Sequence, residues 1–385
     1  MSDAPQLPFR LPAPQGGRVD LLVMAGEHSG DEHAARAVGE LRANNPGLTI
    51  CALGGPQLSE AGAQLLYDMT ASSVVGLVEV LKNYSFFKAL FAEILRWIEE
   101  HQPRAICLVD YPGLNLRVAK ALRERGLSIK GGGKIKLLYY ISPQIWAWKA
   151  KRRFTMARDL DGLGVIFPFE VECYADTDLP VEFVGHPFVE SDYKAPVSYD
   201  PHGPILLLPG SRKQAVKRIF PVLLEGLAAY DKNARAVVLY PSEVILEVLK
   251  AASPPDNVRL LPVDKSVGVS AVLTSSGTMS MHCALAAIPG AIAYRANPLT
   301  YWMGKLLVKI EFLGIANLLL KKVMYPEYIQ GAAKSAALAR ELSQCLREES
   351  RLVQTRDDAE SLQTLLRQSS GRTVVNWLEA GLNLK

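Results

Sequence analysis

The length, composition and charge of the chain limit its class. A chain of 385 residues is too long for one ordinary hydrophobic core, so two domains are expected. Its hydrophobic content of 49% and charged content of 21% are typical of a globular protein. A net charge of +4 gives no indication of nucleic acid as a partner, but it permits contact with an anionic substrate or membrane. The five scattered cysteines favour reduced thiols in the cytoplasm and form no zinc-binding pattern.

The N-terminal segment and the longest apolar runs bear on membrane attachment. Residues 1–17 contain four prolines and two glycines, which predicts a flexible leader and not a signal peptide. Apolar runs stay shorter than the roughly 20 residues that span a bilayer. Any membrane contact is therefore expected to be peripheral.

Short apolar runs alternate with longer amphipathic segments along the first half, which indicates a parallel sheet covered by helices. The predicted strands are 20–25, 48–53, 105–109, 136–141, 162–166 and 181–184, with a helix at about 31–44. Three prolines and a glycine at positions 196, 201, 203 and 204 place an interdomain linker within 193–204.

The second half repeats this architecture. Its predicted strands are 205–208, 234–240, 258–261, 271–274 and 290–294, and its helices are about 215–230, 243–252 and 278–287. The expected organisation is a leader (1–17), an N-terminal Rossmann-like domain (18–195), a C-terminal Rossmann-like domain (196–340) and a helical tail (341–385). The tail could return to the first domain or cross to a partner subunit.

The predicted fold class is α/β, with two tandem Rossmann-like doubly wound domains and an interdomain cleft where ligands bind. Neither half contains a GxGxxG or GxxxxGK[ST] motif, which disfavours dehydrogenases and P-loop NTPases. Two such domains suit a nucleotide-sugar glycosyltransferase of the GT-B type or a related sugar epimerase.

Two loops of the first half are candidates for proton transfer and acceptor binding. Glu27 and His28 follow the first strand, while Ser29 or Asp31 could cap the next helix. Asp110 ends a buried strand, where partial burial would raise its pKa and make it a better base. An Asx turn before Pro112 is the structural alternative.

Two loops of the second half suit a diphosphate. The loop 209–212 offers a permissive glycine, Gly210, the hydroxyl of Ser211 and the planar guanidinium of Arg212. The loop 275–278 places free N–H groups at a helix start, although serine and threonine there can also be simple caps.

Two further segments are candidates for acceptor and membrane contact. An apolar run stops at Pro143 and is followed by two tryptophans and four cations. The cations either bind an anion or form a solvated basic face; they are Lys149, Lys151, Arg152 and Arg153. Residues 74–98 contain more apolar side chains than one helix face normally buries, flanked by Lys82 and Lys88, so they suit a membrane surface or, alternatively, a core helix. The residues proposed for membrane contact are Val75, Leu77, Val78, Leu81, Phe86 and Phe87. A second candidate surface is 301–303 with Lys305 and Lys309.

Together these segments resemble the lipid-A-disaccharide synthase family over about residues 20–335. The most specific match is Ser-Pro-x-x-Trp-Ala-Trp at 142–148. Other matching segments are 26–31, 54–55, 76–81, 110–115, 167–170, 185–187, 208–212, 276–278, 294–295, 298–300, Asn317 and 326–327.

The resemblance implies a metal-independent, inverting transfer at the cytoplasmic face of the inner membrane of a Gram-negative bacterium. Diacylglucosamine would pass from UDP to the 6-hydroxyl of diacylglucosamine 1-phosphate, giving the β-1,6 lipid A disaccharide. The implied partners are the UDP-sugar, the acylated glucosamine phosphate lipid and an anionic membrane, with no nucleic acid and with a homodimer left open. The candidate catalytic residues are Asp110, with Glu27 second, and Arg212. Donor binding is assigned to Gly210, Ser211, Arg212, Ser276, Gly277, Thr278, His282 and Asn317, and acceptor binding to His28, Ser29, Asn115, Trp146, Lys149 and Arg152.

Several positions depart from the family pattern. Gly113 stands where the family has a second aspartate, and Ala215 stands where it has a glutamate. His282 occupies the position of the glutamate that holds the ribose hydroxyls in related transferases, and Ala316 occupies the position of a proline. Two alternatives therefore stay open. One is a GT-B transferase or epimerase for another UDP-sugar, and the other is a non-catalytic homologue that binds nucleotide or lipid.

Overall fold

The computed structural model describes residues 10–70, 84–190, 193–263, 265–296, 311–367 and 373–384. The chain divides into two compact units. The first comprises Met1–Pro187 with Gln368–Lys385, and the second comprises Phe188–Arg367.

The first unit is built on a seven-stranded parallel sheet in the order β3-β2-β1-β4-β5-β6-β7. All residues of β1 and β4 are buried, because helices cover both faces of such a sheet and the strands are apolar throughout. Its strands are β1 Leu21–Ala25, β2 Ile50–Gly54, β3 Gln64–Asp68, β4 Ala105–Val109, β5 Lys136–Tyr140, β6 Gly162–Val165 and β7 Val181–Phe183.

The second unit contains a six-stranded sheet and a two-stranded sheet, both parallel. The large sheet has the order β11-β10-β9-β13-β14-β15, and β12 pairs with β8. Strand β8 lies inside the segment 193–204, so part of the expected linker is a paired strand of this unit. The strands are β8 Val197–Tyr199, β9 Ile205–Leu208, β10 Ala236–Tyr240, β11 Val258–Pro262, β12 Val267–Val269, β13 Ala271–Thr274, β14 Gly290–Tyr294 and β15 Glu327–Ile329.

The helices follow the strands along both halves, as the doubly wound pattern requires. Within the described residues none is long and apolar enough to cross a membrane. They are α1 His28–Asn44, α2 Pro56–Glu60, α3 Tyr84–His101, α4 Pro112–Glu124, α5 Arg152–Asp159, α6 Lys213–Tyr230, α7 Glu243–Lys250, α8 Thr278–Leu285, α9 Ile315–Leu320, α10 Ser335–Arg347, α11 Glu349–Arg367 and α12 Val374–Gly381.

The C-terminal residues divide between the two units. Helix α10 packs on α6 of the second unit, where Gly226 allows Leu338 to approach. Helix α12 returns to the first unit, where Trp377 lies so close over β6 that a Cβ at Gly164 would be 3.3 Å from its ring. The amide of Asn45 also donates to the Glu379 carboxylate at 2.8 Å. The described end of the tail, 373–384, therefore belongs to the first unit of its own chain.

The segment after residue 9 corrects the expectation of a flexible leader. Leu11 is buried, and its backbone N–H donates to Glu93 at 2.9 Å. The indole N–H of Trp97 donates to the Pro12 carbonyl at 2.8 Å. Proline-rich composition was misleading here, because the proline carbonyls still accept hydrogen bonds and Leu11 joins the core of the first unit.

Candidate active site

The loops after β1, β4, β5 and β6 start from one edge of the first sheet, because the carboxyl ends of neighbouring parallel strands lie together. After β1, Glu27 takes an extended conformation at the start of α1. Glu27, His28 and Ser29 are all exposed. These three candidates are therefore free to contact a ligand, as direct binding requires.

Asp31 has a different role from the expected cap of its own helix. No side chain caps α1. The Asp31 carboxylate is fully buried and accepts the backbone N–H groups of Gly55 at 2.7 Å, Gln57 at 3.1 Å and Leu58 at 3.4 Å. It thus caps α2, because a carboxylate satisfies the free N–H groups at a helix start and complements its dipole.

Asp110 stands at the end of β4 in a strained conformation. Asp110 and Tyr111 have φ values of 44° and 45°, in the left-handed region that non-glycine residues seldom adopt. The Asp110 N–H donates to the Tyr140 carbonyl at 2.9 Å, and its own carbonyl accepts the Tyr139 hydroxyl at 2.6 Å. These bonds fix the backbone conformation at the end of β4.

The environment of Asp110 suits a proton acceptor. Burial, and secondly the negative charge of Glu27, raise the pKa of Asp110 from 3.8 to about 6, against the opposing effect of the Tyr111 N–H. A carboxylate of this pKa is ionised at neutral pH and more basic than an ordinary aspartate. The two first-half carboxylates named from the sequence are therefore neighbours.

Asn115 supports the strand ends through its N–H₂ group, and its assignment to acceptor binding stays a prediction. It is 1% exposed, and its amide N–H₂ donates to the carbonyls of Met24 at 3.4 Å, Val109 at 3.1 Å and Asp110 at 2.8 Å. Its side chain therefore ties the ends of β1 and β4 together beneath Asp110. The N–H₂ group is therefore used within the protein, whereas Oδ1 is buried without a hydrogen-bond partner.

The cations that follow β5 differ in whether they are paired with a carboxylate. Trp148 is 49% exposed, with Lys149 Nζ 4.3 Å and Arg152 Cζ 5.7 Å from its ring centroid. Arg153 instead forms two 2.6 Å contacts with the Asp176 carboxylate, so its charge is neutralised. This removes Arg153 from the anion-binding candidates. Within the described residues no ion pair involves Lys149 or Arg152, which keep their charges available.

The turn after β6 holds a buried carboxyl, Glu170, that no sequence motif indicates as a site residue. Glu170 is 2% exposed, and burial raises its pKa from 4.5 to about 8. Its side chain accepts the Phe167 N–H at 3.2 Å. Glu170 belongs to the matching segment 167–170, but a glutamate near a turn gives no warning of burial.

In the second unit, the two predicted diphosphate loops lie side by side. Their strands β9 and β13 are neighbours, and the Ser275 N–H donates to the Leu208 carbonyl at 2.7 Å. Gly210 has a φ of 105°, and a Cβ there would be 3.2 Å from Ser275 Oγ. Glycine is required at this position by both its conformation and the close approach.

The groups that these two loops present are cationic or donors. Ser211 and Arg212 are exposed, and no ion pair involves Arg212 within the described part of the chain. Ser276 is half-buried, while Gly277 and Thr278 are exposed at the start of α8. A guanidinium beside the free N–H groups of a helix start is an arrangement that binds phosphate oxygens.

His282 lies inside an aromatic stack, which corrects its assignment to ribose binding. It is 5% exposed, and its ring centroid is 3.9 Å from that of Phe188 and 5.6 Å from that of Tyr193. Its Nε2 is 3.3 Å from the Tyr193 hydroxyl. The imidazole therefore packs the segment after residue 187 onto α8 and is covered from ligands.

Asn317 is also structural and not a donor-binding residue. It is fully buried, and its amide donates to the Tyr325 carbonyl at 2.7 Å and to Glu327 at 2.9 Å. Its carbonyl accepts the N–H groups of Met324 and Tyr325, each at 2.9 Å. With four hydrogen bonds made, its side chain has no capacity left for a nucleotide.

Most of the expected membrane surface lies outside the described residues. This applies to Val75, Leu77, Val78 and Leu81, and to the second candidate surface at 301–303, 305 and 309. Phe86 and Phe87 are half-buried on α3, with ring centroids 6.0 Å apart. Phe86 packs against the core of the first unit, which favours the core-helix alternative for that side chain.

The fold defines the class of the protein. A UDP-N-acetylglucosamine 2-epimerase from Neisseria meningitidis, solved with UDP-N-acetylglucosamine, matches with a TM-score of 0.58 at 11% identity, covering 90% of this chain and 100% of the epimerase. The glycotransferase of kitacinnamycin matches with a TM-score of 0.56 at 13% identity, over 95% of this chain and 100% of that chain. The chain therefore has the GT-B architecture of two Rossmann-like domains, as predicted.

The sequence defines the family. The profile of the lipid-A-disaccharide synthetase family matches residues 21–376, so the chain belongs to that family. A lipid-A-disaccharide synthase from Nitrosococcus oceani is 35% identical over 349 residues, covering 86% of this chain and 88% of the relative. A second one, from Legionella pneumophila, is 36% identical over 350 residues with the same coverage. The family resemblance read from the motifs is confirmed.

Proposed function

We propose that the chain transfers diacylglucosamine from UDP to the 6-hydroxyl of diacylglucosamine 1-phosphate and releases UDP. The membership of the chain in the lipid-A-disaccharide synthetase family carries this proposal, and relatives that bear the name of the synthase support it. The acceptor oxygen forms a bond to the anomeric carbon as the bond from that carbon to the diphosphate breaks. Attack from the opposite face inverts the configuration and gives the β-1,6 disaccharide.

The donor half of the reaction is assigned to the second unit. Negative charge grows on the diphosphate as UDP leaves. The Arg212 guanidinium and the N–H groups at Ser276–Thr278 offset this charge, with Gly210 and Ser211 lining the same loop pair. Transfer without a metal ion is part of this proposal, and the adjacent cation and helix start support it.

The acceptor half is assigned to the first unit. Asp110 removes the proton of the attacking hydroxyl, and Glu27 adjusts its pKa. His28, Ser29 and the exposed face of the Trp146 loop contact the acceptor sugar. Lys149 and Arg152 bind its 1-phosphate, because their cationic groups are exposed or half-buried and lie over Trp148.

Membrane contact, location and assembly are also proposals. Both substrates carry acyl chains, so the enzyme works at the cytoplasmic face of the inner membrane as a peripheral protein. The apolar residues between 75 and 87 and the positive net charge support contact with an anionic bilayer. Exchange of Leu77, Leu81 and Phe87 for serine is expected to release the protein from anionic liposomes, and unchanged liposome binding would remove this segment from the interface. A homodimer is the assembly proposed.

The function is tested by turnover in detergent micelles. UDP-2,3-diacylglucosamine and 2,3-diacylglucosamine 1-phosphate are supplied, and disaccharide 1-phosphate and UDP are measured. The proposal expects equimolar products, with a rate about 10²-fold or more lower in Asp110→Asn. If the chain is a homologue without catalysis, neither the parent protein nor Asp110→Asn will form disaccharide. If it is an enzyme for another UDP-sugar, the parent protein will release no UDP from the acylated donor.

A further inference from the structure

Glu170 is a buried carboxyl that the proposed reaction does not use. It ends the turn Pro168–Glu170, which follows β6, and its side chain accepts the N–H of Phe167 within that turn. Trp146 approaches the same carboxyl from the preceding loop of the sheet edge. The indole N–H of Trp146 is buried without a hydrogen-bond partner, and its proximity lowers the pKa of Glu170 against the larger effect of burial.

Aromatic rings enclose this carboxyl. The rings of Trp146 and Phe169 meet edge to face, with centroids 5.6 Å apart and an interplanar angle of 80°. The ring centroid of Phe167 is 5.8 Å from that of Phe169, in a stacked arrangement, and 5.2 Å from that of His186. The shell brings the loop after β5 into contact with the turn after β6 and keeps water from the carboxyl.

The ionisable groups that face Glu170 come from three elements. Asp110 at the end of β4 repels its negative form. Cys173 and Tyr174, in the turn that follows, have pKa values raised by burial and by Glu170, and Tyr174 also feels Arg152 from α5. The loops after β4, β5 and β6 therefore share one buried electrostatic environment.

We propose that Glu170 is a positioning residue that locks the Trp146 loop onto the sheet edge that carries Asp110. The loop leads directly into Lys149 and Arg152, to which the acceptor phosphate is assigned, so this inference rests on the proposed function for its kinetic consequence. Glu170 touches no reacting atom itself. It fixes the distance between the phosphate-binding cations and the base.

The lock depends on the charge of the carboxyl. Because burial raises its pKa to about 8, Glu170 is mostly neutral at pH 7 and ionises at alkaline pH. The Phe167 N–H and Trp146 stabilise the ionised form, but the cost of burying a charge inside the aromatic shell and beside Asp110 is larger, so ionisation is unfavourable overall. The shell therefore opens as pH rises through about 8, and Trp146 becomes more exposed to water.

The first experiment measures the environment of Trp146 without substrate. The chain has five tryptophans, so the emission of Trp146→Phe is subtracted from that of the parent protein to isolate Trp146. We expect a red shift between pH 7 and 9.5 with a midpoint near 8, absent in Glu170→Gln. Glu172→Gln, which changes an exposed carboxyl two positions away, is the matched control and keeps the transition. The same transition in Glu170→Gln, or none in the parent protein, overturns the proposal.

The second experiment separates positioning from general stability. Glu170→Gln keeps a carbonyl acceptor and is expected to hold the acceptor KM within about 3-fold at pH 7, whereas Glu170→Leu leaves buried donors unpaired and raises that KM by about 10-fold. Parallel losses of Tm and kcat at unchanged KM would indicate a merely structural role and overturn the proposal. If Glu170→Leu does not fold, Glu170→Gln and the fluorescence titration decide. Because that titration needs no turnover, it separates failure of this inference from failure of the proposed function.

Discussion

The acid limb of the pH profile follows from the environment of Asp110. The proposed base must be ionised, and its pKa is about 6 because of burial and the nearby Glu27. At pH 5 a base of pKa about 6 is roughly one-tenth ionised, whereas an aspartate of ordinary pKa would remain about nine-tenths ionised. We therefore predict that kcat/KM at pH 5 falls to about one-tenth of its value at pH 7.

Replacement of Glu27 tests the cause of this shift. Glu27→Gln removes the neighbouring negative charge, so the pKa of Asp110 decreases and the acid limb moves to lower pH. It stays above 3.8, because burial is the larger cause. The matched control is Glu40→Gln, an exposed carboxyl on the same helix, which is expected to leave the profile unchanged.

The assay is disaccharide formation at subsaturating substrate between pH 4.5 and 8, since kcat/KM reports the free enzyme. Enzyme incubated at each pH is returned to pH 7 and assayed again, which separates titration from unfolding. A profile that is flat from pH 5 to 7 would refute the assignment of the base to a buried Asp110. An acid limb that does not move in Glu27→Gln would refute the role of Glu27.

Three further predictions concern residues that support the two half-sites. Asn317→Ala is expected to lower the free energy of unfolding by roughly 2–4 kcal/mol in urea denaturation, because it leaves the buried N–H groups of Met324 and Tyr325 unpaired. Glu170→Gln is expected to gain Tm relative to the parent protein as pH rises from 5 to 8. In the folded parent protein Glu170 keeps its proton up to about pH 8, whereas in the unfolded chain it loses that proton above about pH 4.5. The stability of the parent protein therefore decreases from pH 5 to 8, and the stability of the glutamine variant does not depend on this group. Gly210→Ala is expected to weaken UDP binding about 10-fold, because alanine is strained at a φ of 105°.

Each of these three predictions has an outcome that contradicts it. If Asn317→Ala is as stable as Asn233→Ala, a variant of an exposed asparagine, the four hydrogen bonds of Asn317 contribute little to stability. A pH-independent Tm difference in the glutamine variant would mean that Glu170 is ionised in the folded protein. Unchanged UDP affinity in Gly210→Ala would place the diphosphate away from the 209–212 loop.

The fold was predictable because buried parallel strands leave a simple signal. Strands β4, β9, β13 and β14 were predicted with the bounds that the structure has, since each is a short continuous apolar run between polar loops. Strand β3 was missed because only one of its residues, Leu66, is buried at the edge of the sheet. Strand β15 was missed for a similar reason, as all three of its residues are only half-buried.

The positions of candidate site residues were predictable only where polar groups directly follow strand ends. Asp110, Glu27 and Arg212 could be named because a strand end fixes which edge of the sheet a side chain occupies. Asn115, His282 and Asn317 were assigned to ligands although they are buried and packed or hydrogen bonded within the protein. Their polar side chains look alike in sequence whether a backbone carbonyl or a substrate is the partner. Glu170 was overlooked for the opposite reason, because its burial depends on aromatic rings from two loops.

The affinity for UDP tests the central claim most directly. Calorimetric titration of UDP into the parent protein, Arg212→Ala and Arg218→Ala compares the arginine proposed to bind the diphosphate with an exposed arginine on α6, the helix that follows it. We predict that Arg212→Ala weakens binding by about 10-fold or more, the effect of losing a charged hydrogen bond, and cuts turnover by about 10²-fold. Arg218→Ala should bind UDP like the parent protein. Equal affinities in all three proteins would contradict the assignment of the pyrophosphate to Arg212 and the neighbouring helix start.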